Sequence, residues 1–395
     1  MPIPIFGSLI AASLLAPPHM STAQNPSFEI FLVTLPGLEE HLFAEVKEQG
    51  FRKPAMISGG VLIKGGWKEV WRANLVLRGA SKVLVRIGEF RAHHLAQLDK
   101  HARRFPWGEF LSPDHSVKVD VSTNRKSEIY HGGAAAERIE RAIHEEFGAQ
   151  IAPRLEDTDI LIKVRIARNL VIISLETSGT PLHKRGHKQA MGKAPLRETI
   201  AAMTLRACGY KRTEALLDPM CGSGTYPIEA AEMAANLMAG RDRSFAFEKL
   251  LSYDAEAVRA MKDGWFTREA PTQFYGSDQN GQVIDFAKQN AERAGVGAAC
   301  QFSNEPLSKL KRPDAPTGLV MVNPPYGTRI GNKKALMNLY RSFGIIMQDR
   351  FSGWRVGMVT TDAALAEATK LPWKPPSAPI PHGGLKIRLY KTDTL

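Results

Sequence analysis

The segment MVNPPYG places an amide, two prolines and an aromatic ring directly after an apolar run. Pro324 and Pro325 fix two successive φ angles and carry no backbone N–H, so the segment presents acceptors rather than donors. The side-chain oxygen of Asn323 and the carbonyl oxygen of Pro324 can accept the two hydrogens of an exocyclic NH₂ group. The ring of Tyr326 can stack on the base that carries this group. The pattern therefore indicates a site for a nucleobase amine.

Such an amine is a poor nucleophile, because its lone pair is delocalised into the ring. When it attacks a methyl group on a sulfonium ion, positive charge develops on nitrogen, and the acceptors of Asn323 and Pro324 stabilise that charge. Positioning supplies much of the remaining acceleration, and no general base is needed before the attack. A base within a helix must first leave its stack at a cost of about a few kcal/mol, which stacking on Tyr326 offsets.

A glycine-containing turn, DPMCGSGT, supplies a second candidate site. Asp218 ends a predicted strand, Gly222 and Gly224 permit close approach of a ligand and positive φ, and Thr225 opens the next helix. Ligands of open α/β sheets bind at such strand ends. The turn matches neither GxGxxG nor a P-loop, since Pro227 stands three residues after Gly224 and no lysine follows, so a dehydrogenase is disfavoured. A nucleoside with an amino-acid tail, whose carboxylate can use the helix N-terminus, fits better.

Two further strand ends offer polar side chains to the same ligand. Asp278 ends the strand in QFYGSDQN, and its carboxylate can accept both ribose hydroxyls; capping of the next helix is the structural alternative. Asn304 ends the strand CQFSN, where its amide can hydrogen-bond an adenine edge or have a structural role alone. Cys221 stands inside the glycine turn. A covalent nucleophile is one interpretation, but transfer to an exocyclic amine needs none, so a packing role is favoured.

These side chains require a sheet whose strand ends meet. From about Leu196 the segments alternate between strand and helix, which predicts a doubly wound parallel sheet. The segments are ALLDPM, IEAAEMAANLMA, QFYGSDQN, QVIDFAKQNAERAG, CQFSN, GLVMVNPP, a helix near 336–351, WRVGMVTT and the edge strand LKIRLYKT. After Ser178 the composition changes to a basic connection, which predicts a domain over residues 179–395. In this connection, KRGHK is expected to contact phosphate, with a solvated linker as the alternative.

Residues 28–178 show a different, α+β pattern. EIFLVTL, VLIKGG and KVLVRIGEF are strand-like, and PGLEEHLFAEVKEQGF and WKEVWRANLVL have helical spacing. SVKVDVSTNR, IYHGGAAAERIERAIHEEFG and DILIKVRIARNLVIISLETS then predict a strand, a helix and two strands that turn at Arg168 and Asn169. Basic residues accompany these strands and can form a nucleic-acid face or a solvated surface: Lys118, Arg125, Lys126, Lys163, Arg165 and Arg168.

The composition narrows the class of partner. The 395-residue chain carries 52 Lys+Arg against 40 Asp+Glu, a formal charge of +12, which favours a polyanion such as nucleic acid. Three cysteines without a CxxC pattern indicate neither disulfides nor a metal site, and they fit a reducing, cytoplasmic location. Residues 1–27 have no basic n-region and too short an apolar stretch to span a bilayer. We therefore expect a disordered extension and no membrane partner.

In this order, DPMCGSGT, YGSDQN and NPPYG resemble class I S-adenosylmethionine-dependent methyltransferases that act on exocyclic amines. Residues 28–175 resemble a ferredoxin-like segment followed by a THUMP domain. PLHKRGH, APLRETIAAMTL and SFAFEKL narrow the resemblance to bacterial THUMP-containing 23S rRNA guanine-N2 methyltransferases. The resemblance implies a C-terminal Rossmann-like sheet, an N-terminal RNA-binding region, and an enzyme that uses S-adenosylmethionine to modify ribosomal RNA.

The candidate site residues fall into two groups. We assign cofactor binding to Asp218, Cys221, Gly222, Gly224, Thr225, Asp278 and Asn304. We assign amine recognition and catalysis to Asn323, Pro324, Pro325 and Tyr326. No metal ligand is assigned, because His93 and His94 have no ligand partners at recognisable spacing.

The sequence departs from the family pattern at three places. Asn280 stands where an acid is usual, Asn304 replaces the acid of the third strand, and TRIG follows NPPYG where ERLG is more usual. These departures bear on the contacts to adenine and ribose more than on the methyl-transfer site. The alternatives are a transfer-RNA guanine-N2 methyltransferase, an N6-adenine-specific nucleic-acid methyltransferase, and a non-catalytic RNA-binding protein that keeps the fold.

Overall fold

The computed structural model describes residues 27–189, 196–315, 317–326 and 333–395. The expected disordered extension lies outside these ranges apart from Ser27, and so does the stretch TRIG. Within them, the chain forms two seven-stranded sheets with helices packed against both. The expected fold class, an α/β sheet preceded by an α+β region, is confirmed.

The first sheet is built from the strands that precede residue 177. Its elements are β1 (Phe28–Val33), α1 (Glu39–Glu48), β2 (Ala55–Ile57), β3 (Gly60–Gly65), α2 (Trp67–Val76), β4 (Lys82–Arg91), α3 (Leu95–Arg103), β5 (Val117–Thr123), α4 (Gly132–Phe147), β6 (Ile160–Ala167) and β7 (Leu170–Glu176). The strand order is β2-β3-β1-β4-β7-β6-β5. Arg168 and Asn169 have φ values of 52° and 61°, as a tight turn between antiparallel strands needs.

The second sheet is mostly parallel and carries helices between its strands. Its elements are α5 (Glu198–Ala207), β8 (Ala215–Asp218), α6 (Thr225–Ala234), α7 (Ala255–Asp263), β9 (Phe274–Asp278), α8 (Gly281–Arg293), β10 (Cys300–Asn304), β11 (Gly318–Val322), α9 (Lys333–Arg350), β12 (Arg355–Thr360), α10 (Ala363–Ala368), β13 (Ile380–His382) and β14 (Leu385–Lys391). The strand order is β10-β9-β8-β11-β12-β14-β13, with β14 antiparallel to both neighbours. Every residue of β8 and β11 is buried, which explains their continuous apolar sequences.

An apolar core joins the two sheets. Its buried members include Leu32 and Val83 of the first sheet and Met203 and Phe247 of the second part of the chain. The predicted domain division after residue 178 falls between β7 and α5 and stays a prediction. Among the described residues, no helix has the length and apolar character to cross a membrane. In the same residues, no group of three or more His, Cys, Asp or Glu side chains could hold a metal ion.

The connection between the sheets contains the stretch KRGHK, for which the sequence indicated a phosphate contact or a solvated linker. Two of its side chains are buried instead. Arg185 is 2% exposed and donates to Glu229 at 3.0 Å. His187 is 6% exposed, and its Nδ1 lies 3.8 Å from a carboxylate oxygen of Glu232. Both interpretations of KRGHK are therefore wrong at Arg185 and His187, because these side chains face carboxylates of α6. Lys184 remains exposed.

Candidate active site

The carboxyl ends of three neighbouring strands open into one cavity. β9, β8 and β11 lie side by side and parallel, so Asp278, Asp218 and Asn323 come to the same edge of the sheet. The cavity has a volume of about 410 Å³, within the range of small-molecule sites. All the predicted site residues except Gly224 and Asn304 line it: Asp218, Cys221, Gly222, Thr225, Asp278, Asn323, Pro324, Pro325 and Tyr326.

The glycine turn and the end of β9 are tied together by hydrogen bonds. The Gly222 N–H donates to one carboxylate oxygen of Asp278 at 3.1 Å, and the Asn280 N–H donates to the other at 2.9 Å. The side chain of Asn280 accepts from the Gln282 N–H and so caps α8. The capping alternative for Asp278 is therefore not observed, because Asn280 caps the helix. The Asp278 carboxylate lies on the cavity wall.

Gly224 supports the turn from behind rather than lining the cavity. Its φ is +86°, and a Cβ there would lie 3.0 Å from the Cβ of Ala287 and 3.1 Å from both Ile228 Cδ1 and Phe302 Cζ. A side chain would therefore be strained by its backbone conformation and by its neighbours. Only glycine lets the chain enter α6 directly from the turn.

We expect Gly224→Ala to destabilise the protein by about 1–3 kcal/mol, the usual cost of a residue held in an unfavourable backbone conformation. The shift of the turn should also weaken cofactor binding. Chemical denaturation and calorimetric titration with S-adenosylhomocysteine measure the two effects. Gly133→Ala is the matched control, because Gly133 lies in α4 and a Cβ there would meet nothing within 4 Å. Equal stability of the two variants would contradict the prediction.

Asp218 is the most deeply buried charged group of the site. It is 2% exposed, and one carboxylate oxygen accepts the Met220 N–H at 3.0 Å. Burial raises the pKa of Asp218 well above its usual value; the Met220 hydrogen bond opposes the rise, and the charge of Asp278 adds to it. A donor from a bound ligand would stabilise the ionised form.

We expect Asp218→Asn to raise the free energy of unfolding at neutral pH, because the amide removes a buried charge. A carboxyl group whose pKa is raised by folding stabilises the folded state below its unfolded value of 3.8 and loses that contribution as pH rises. The gain should therefore shrink as pH falls toward 4. Denaturation curves between pH 4 and pH 8 measure it. Asp285→Asn, at an exposed position of α8, should show no such trend, and a pH-independent gain in Asp218→Asn would refute the explanation.

The segment after β11 presents the expected acceptors. Oδ1 of Asn323 is buried and has no hydrogen-bond partner among the described residues. The Tyr340 hydroxyl lies 3.3 Å from the Pro325 carbonyl oxygen, to which it donates, and 3.3 Å from the Thr360 hydroxyl. This contact holds the second proline in place. An unpaired buried acceptor is costly, so Asn323 is suited to a donor that a ligand supplies.

Two side chains of the cavity are kept neutral. Burial raises the pKa of the Cys221 thiol well above its usual value, and the charges of Asp218 and Asp278 act in the same direction. A thiol of this kind is a poor nucleophile, in agreement with the packing interpretation. Burial also raises the pKa of Tyr326 to about 12. The Tyr326 ring packs against the apolar core described above while it lines the cavity, so it forms an aromatic part of the cavity wall.

The position of Asn304 differs from the other predicted residues. Its side chain is exposed, and its amide nitrogen donates to the backbone oxygen of Asp278 at 2.9 Å. An adenine contact by Asn304 stays a prediction. The cavity also has lining residues that the sequence did not single out, among them Leu196, Met220, Tyr226, Val283, Leu307 and Leu339. Leu196 precedes α5 by two residues, and only the helix start in APLRET signals its place.

Family models match three successive parts of the chain: an RlmL ferredoxin-like domain at residues 29–84, a THUMP domain at 92–176, and the UPF0020 RMKL-like methyltransferase domain at 185–374. Residues 185–374 form an RMKL-like methyltransferase domain. The cavity described above belongs to this methyltransferase domain. The resemblance to THUMP-containing methyltransferases is thereby confirmed.

Ribosomal RNA large subunit methyltransferase K/L of Psychromonas ingrahamii is 36% identical to the chain over 347 residues. The match covers 85% of this chain and 46% of that protein. The chain therefore spans about half the length of the curated relative that it matches.

Solved structures share the whole architecture. A predicted N6-adenine-specific DNA methylase from Listeria monocytogenes has a TM-score of 0.82 at 28% identity, over 94% of this chain and 97% of that one. SMU.472, assigned as a methyltransferase and solved in complex with SAH (S-adenosylhomocysteine), has a TM-score of 0.83 at 24% identity. The match covers 93% of this chain and 98% of that one. TrmN from Thermus thermophilus has a TM-score of 0.71 at 18% identity, and the match covers 93% of this chain and 100% of that one. The last two support the fold alone.

Proposed function

We propose that the chain transfers a methyl group from S-adenosylmethionine to the exocyclic N2 amine of a guanine in 23S ribosomal RNA, in the cytoplasm. The observation that carries this proposal is the buried, unpaired Oδ1 of Asn323 at the wall of the cavity. The name of the K/L relative, a large-subunit ribosomal RNA methyltransferase, supports ribosomal RNA over transfer RNA and over an adenine substrate. The THUMP domain supports an RNA substrate.

The residues of the cavity fit S-adenosylmethionine, which supplies an electrophilic methyl group on its sulfonium sulfur. Asp278 would hold the ribose hydroxyls, because its carboxylate lies on the cavity wall and is oriented by two backbone N–H groups. Thr225 opens the ten-residue helix α6 at the same wall. The N-terminus of that helix would hold the carboxylate of the amino-acid tail. Met220 and Val283 add apolar surface to the same wall.

Asn323 and Pro324 would bind the guanine amine. The Asn323 oxygen accepts one hydrogen of the amine, and the Pro324 carbonyl oxygen accepts the other. As the nitrogen bonds to the methyl carbon and the sulfur–carbon bond breaks, both oxygens stabilise the positive charge on nitrogen. The proton is lost to water after transfer, so the site needs no base. Tyr326 would stack on the guanine and hold its amine in line with the methyl group.

The first sheet would deliver the RNA. Of the six basic residues predicted for its face, Lys118 pairs with Glu140 at 3.2 Å, and Lys163 pairs with Asp120. The other four are exposed and have no ion-pair partner within the described part of the chain: Arg125, Lys126, Arg165 and Arg168. These four side chains are the ones available to backbone phosphates.

Purified protein incubated with S-adenosylmethionine and RNA tests the proposal. The RNA should come from a strain that lacks the corresponding activity, as ribosomal and transfer RNA fractions, with genomic DNA as a third substrate. Mass spectrometry of the nucleosides should show N2-methylguanosine in large-subunit RNA alone. N2-methylguanosine in transfer RNA, or N6-methyladenine in any substrate, would show that the enzyme acts on a different substrate from the one proposed. Cofactor binding with no methylated product would support a non-catalytic RNA-binding protein instead.

A further inference from the structure

A group of basic side chains lies where three parts of the chain meet beside the methyltransferase cavity. These parts are the connection after β7, the start of α5 and the C-terminal hairpin of β13 and β14. We call the group the rim cluster, and it consists of His183, Lys184, Lys188, Arg197 and His382. Burial, then the charges of Arg197 and Lys188, lower the pKa of His382. Burial and the charges of Arg197, Lys184, Lys188 and Arg185 lower the pKa of His183 to about 4, so Arg197 and Lys188 act on both histidines.

The rim cluster is joined to the cavity through Lys188. Its ammonium group donates to the Leu196 carbonyl oxygen and to the Thr225 hydroxyl, both at 2.8 Å. Leu196 and Thr225 line the cavity. Lys188 also lies 3.3 Å from Glu198, which is the one carboxylate that directly pairs with a member of the cluster in the described residues. The cluster therefore borders the cavity at the wall formed by Leu196 and Thr225.

The other members of the rim cluster include side chains that have no hydrogen-bond or ion-pair partner among the described residues. The Arg197 side chain is half-buried and has neither a hydrogen bond nor an ion pair there, and Lys184 is exposed without a side-chain partner. Nδ1 of His382 is buried and also has no partner. Burial favours the neutral form of both histidines. Among the described residues, Glu198 is the one carboxylate that pairs directly with any of the three charged side chains, Lys184, Lys188 and Arg197. An excess of positive charge held together in this way is relieved by an anion.

We propose that the rim cluster binds a backbone phosphate of the RNA next to the target nucleotide, through Arg197 and Lys184. This inference rests on the proposed function. A base that leaves its helix turns about its own backbone, so the flanking phosphates must lie at the mouth of the cavity. Arg197 follows a lining residue without lining the cavity itself, which favours the RNA over the cofactor's carboxylate as the bound anion.

Arg197→Gln in the full chain tests the inference, since the side chain has no hydrogen bond or ion pair to lose among the described residues. We expect KM for RNA to rise about tenfold, as for the loss of a charged hydrogen bond, with kcat and the affinity for S-adenosylhomocysteine unchanged. The slope of log K for RNA against log salt should fall by about 0.7, the value for one phosphate of a single strand. Arg197→Lys should keep most of that slope. Lys184→Gln should lower it independently, and Arg259→Gln, at an exposed position of α7, should leave it unchanged.

The outcomes separate this inference from the proposed function. If wild-type protein methylates RNA and Arg197→Gln and Lys184→Gln both keep its KM and salt slope, the rim cluster does not bind phosphate. If Arg197→Gln weakens S-adenosylhomocysteine binding and leaves the salt slope unchanged, the anion is the cofactor's carboxylate and the inference is overturned. If wild-type protein methylates no substrate, the proposed function fails. The salt dependence of RNA binding by wild type and the variants would still show whether the rim cluster binds a phosphate.

Discussion

Asn323→Ala should lower the rate of methyl transfer by about 10²–10³-fold, the usual effect of removing one placed group that stabilises charge in a transition state. The cause is the loss of the acceptor whose Oδ1 is buried and unpaired in the described structure. Because this oxygen has no hydrogen-bond partner among the described residues, its removal should not lower stability. Single-turnover rates with saturating RNA and S-adenosylmethionine measure the chemical step directly.

Asn323→Asp provides the chemical control. A carboxylate also offers an acceptor at this position, so the aspartate variant should retain more activity than the alanine variant. Both variants should bind S-adenosylhomocysteine as wild type does, since the cofactor's predicted contacts come from Asp218, Asp278 and Thr225. Equal rates for alanine, aspartate and wild type would show that Asn323 does not bind the amine. Loss of cofactor affinity in the alanine variant would assign Asn323 to the cofactor instead.

Much of the candidate site could be predicted because it lies at the ends of buried strands. β8 and β11 are short apolar runs in which every residue is buried, and the polar residue at or just after the end of each must emerge at the edge of the sheet. Asn304 follows the same local pattern but does not line the cavity. β10 is one of the two edge strands of the sheet, and the order of strands in a sheet cannot be determined from hydrophobic periodicity. The amide of Asn304 therefore meets the Asp278 backbone instead.

The interface between the sheets could not be predicted for a related reason. KRGHK has the same appearance in sequence whether its side chains meet water, phosphate or carboxylate. In the structure, Arg185 meets Glu229, more than forty positions further along the chain. Tertiary packing alone brings these charges together, and burial then makes the pairing obligatory.

Glu229 and its neighbour Glu232 are also held by Arg78, which lies in the loop between α2 and β4. Arg78 Nη1 lies 2.7 Å from Glu229 and 3.2 Å from Glu232, and Nη2 donates to the Leu237 carbonyl oxygen at 2.5 Å. The three charged side chains are 8%, 1% and 0% exposed. Both glutamates belong to α6, whose first residue, Thr225, lines the cavity. Arg78 therefore connects the ferredoxin-like domain to the helix that begins at the cavity, where we propose that the cofactor binds.

We expect Arg78→Met to destabilise the protein by about 3–5 kcal/mol, because it leaves buried carboxylates without their cation. Burial opposes the ionisation of Glu232, but the charge of Arg78 and those of His187 and Arg241 hold its pKa below the usual value. A lowered pKa stabilises the folded state above the unfolded value of 4.5, and the contribution is lost as pH falls. The deficit of the variant should therefore be largest at neutral pH and smaller near pH 4, as urea denaturation at each pH can measure.

Arg154→Met is the matched control, because Arg154 is 71% exposed while it pairs with Glu156 and Asp157 at 3.7 and 3.3 Å. An exposed pair of this kind contributes at most about 1 kcal/mol, so the two variants should differ clearly in their urea midpoints. Arg78→Met should also weaken S-adenosylhomocysteine binding, since α6 loses its attachment to the first sheet, whereas Arg154→Met should not. Equal stability of the two variants would mean that Arg185 and Arg241, which also pair with these glutamates, satisfy them without help from the ferredoxin-like domain.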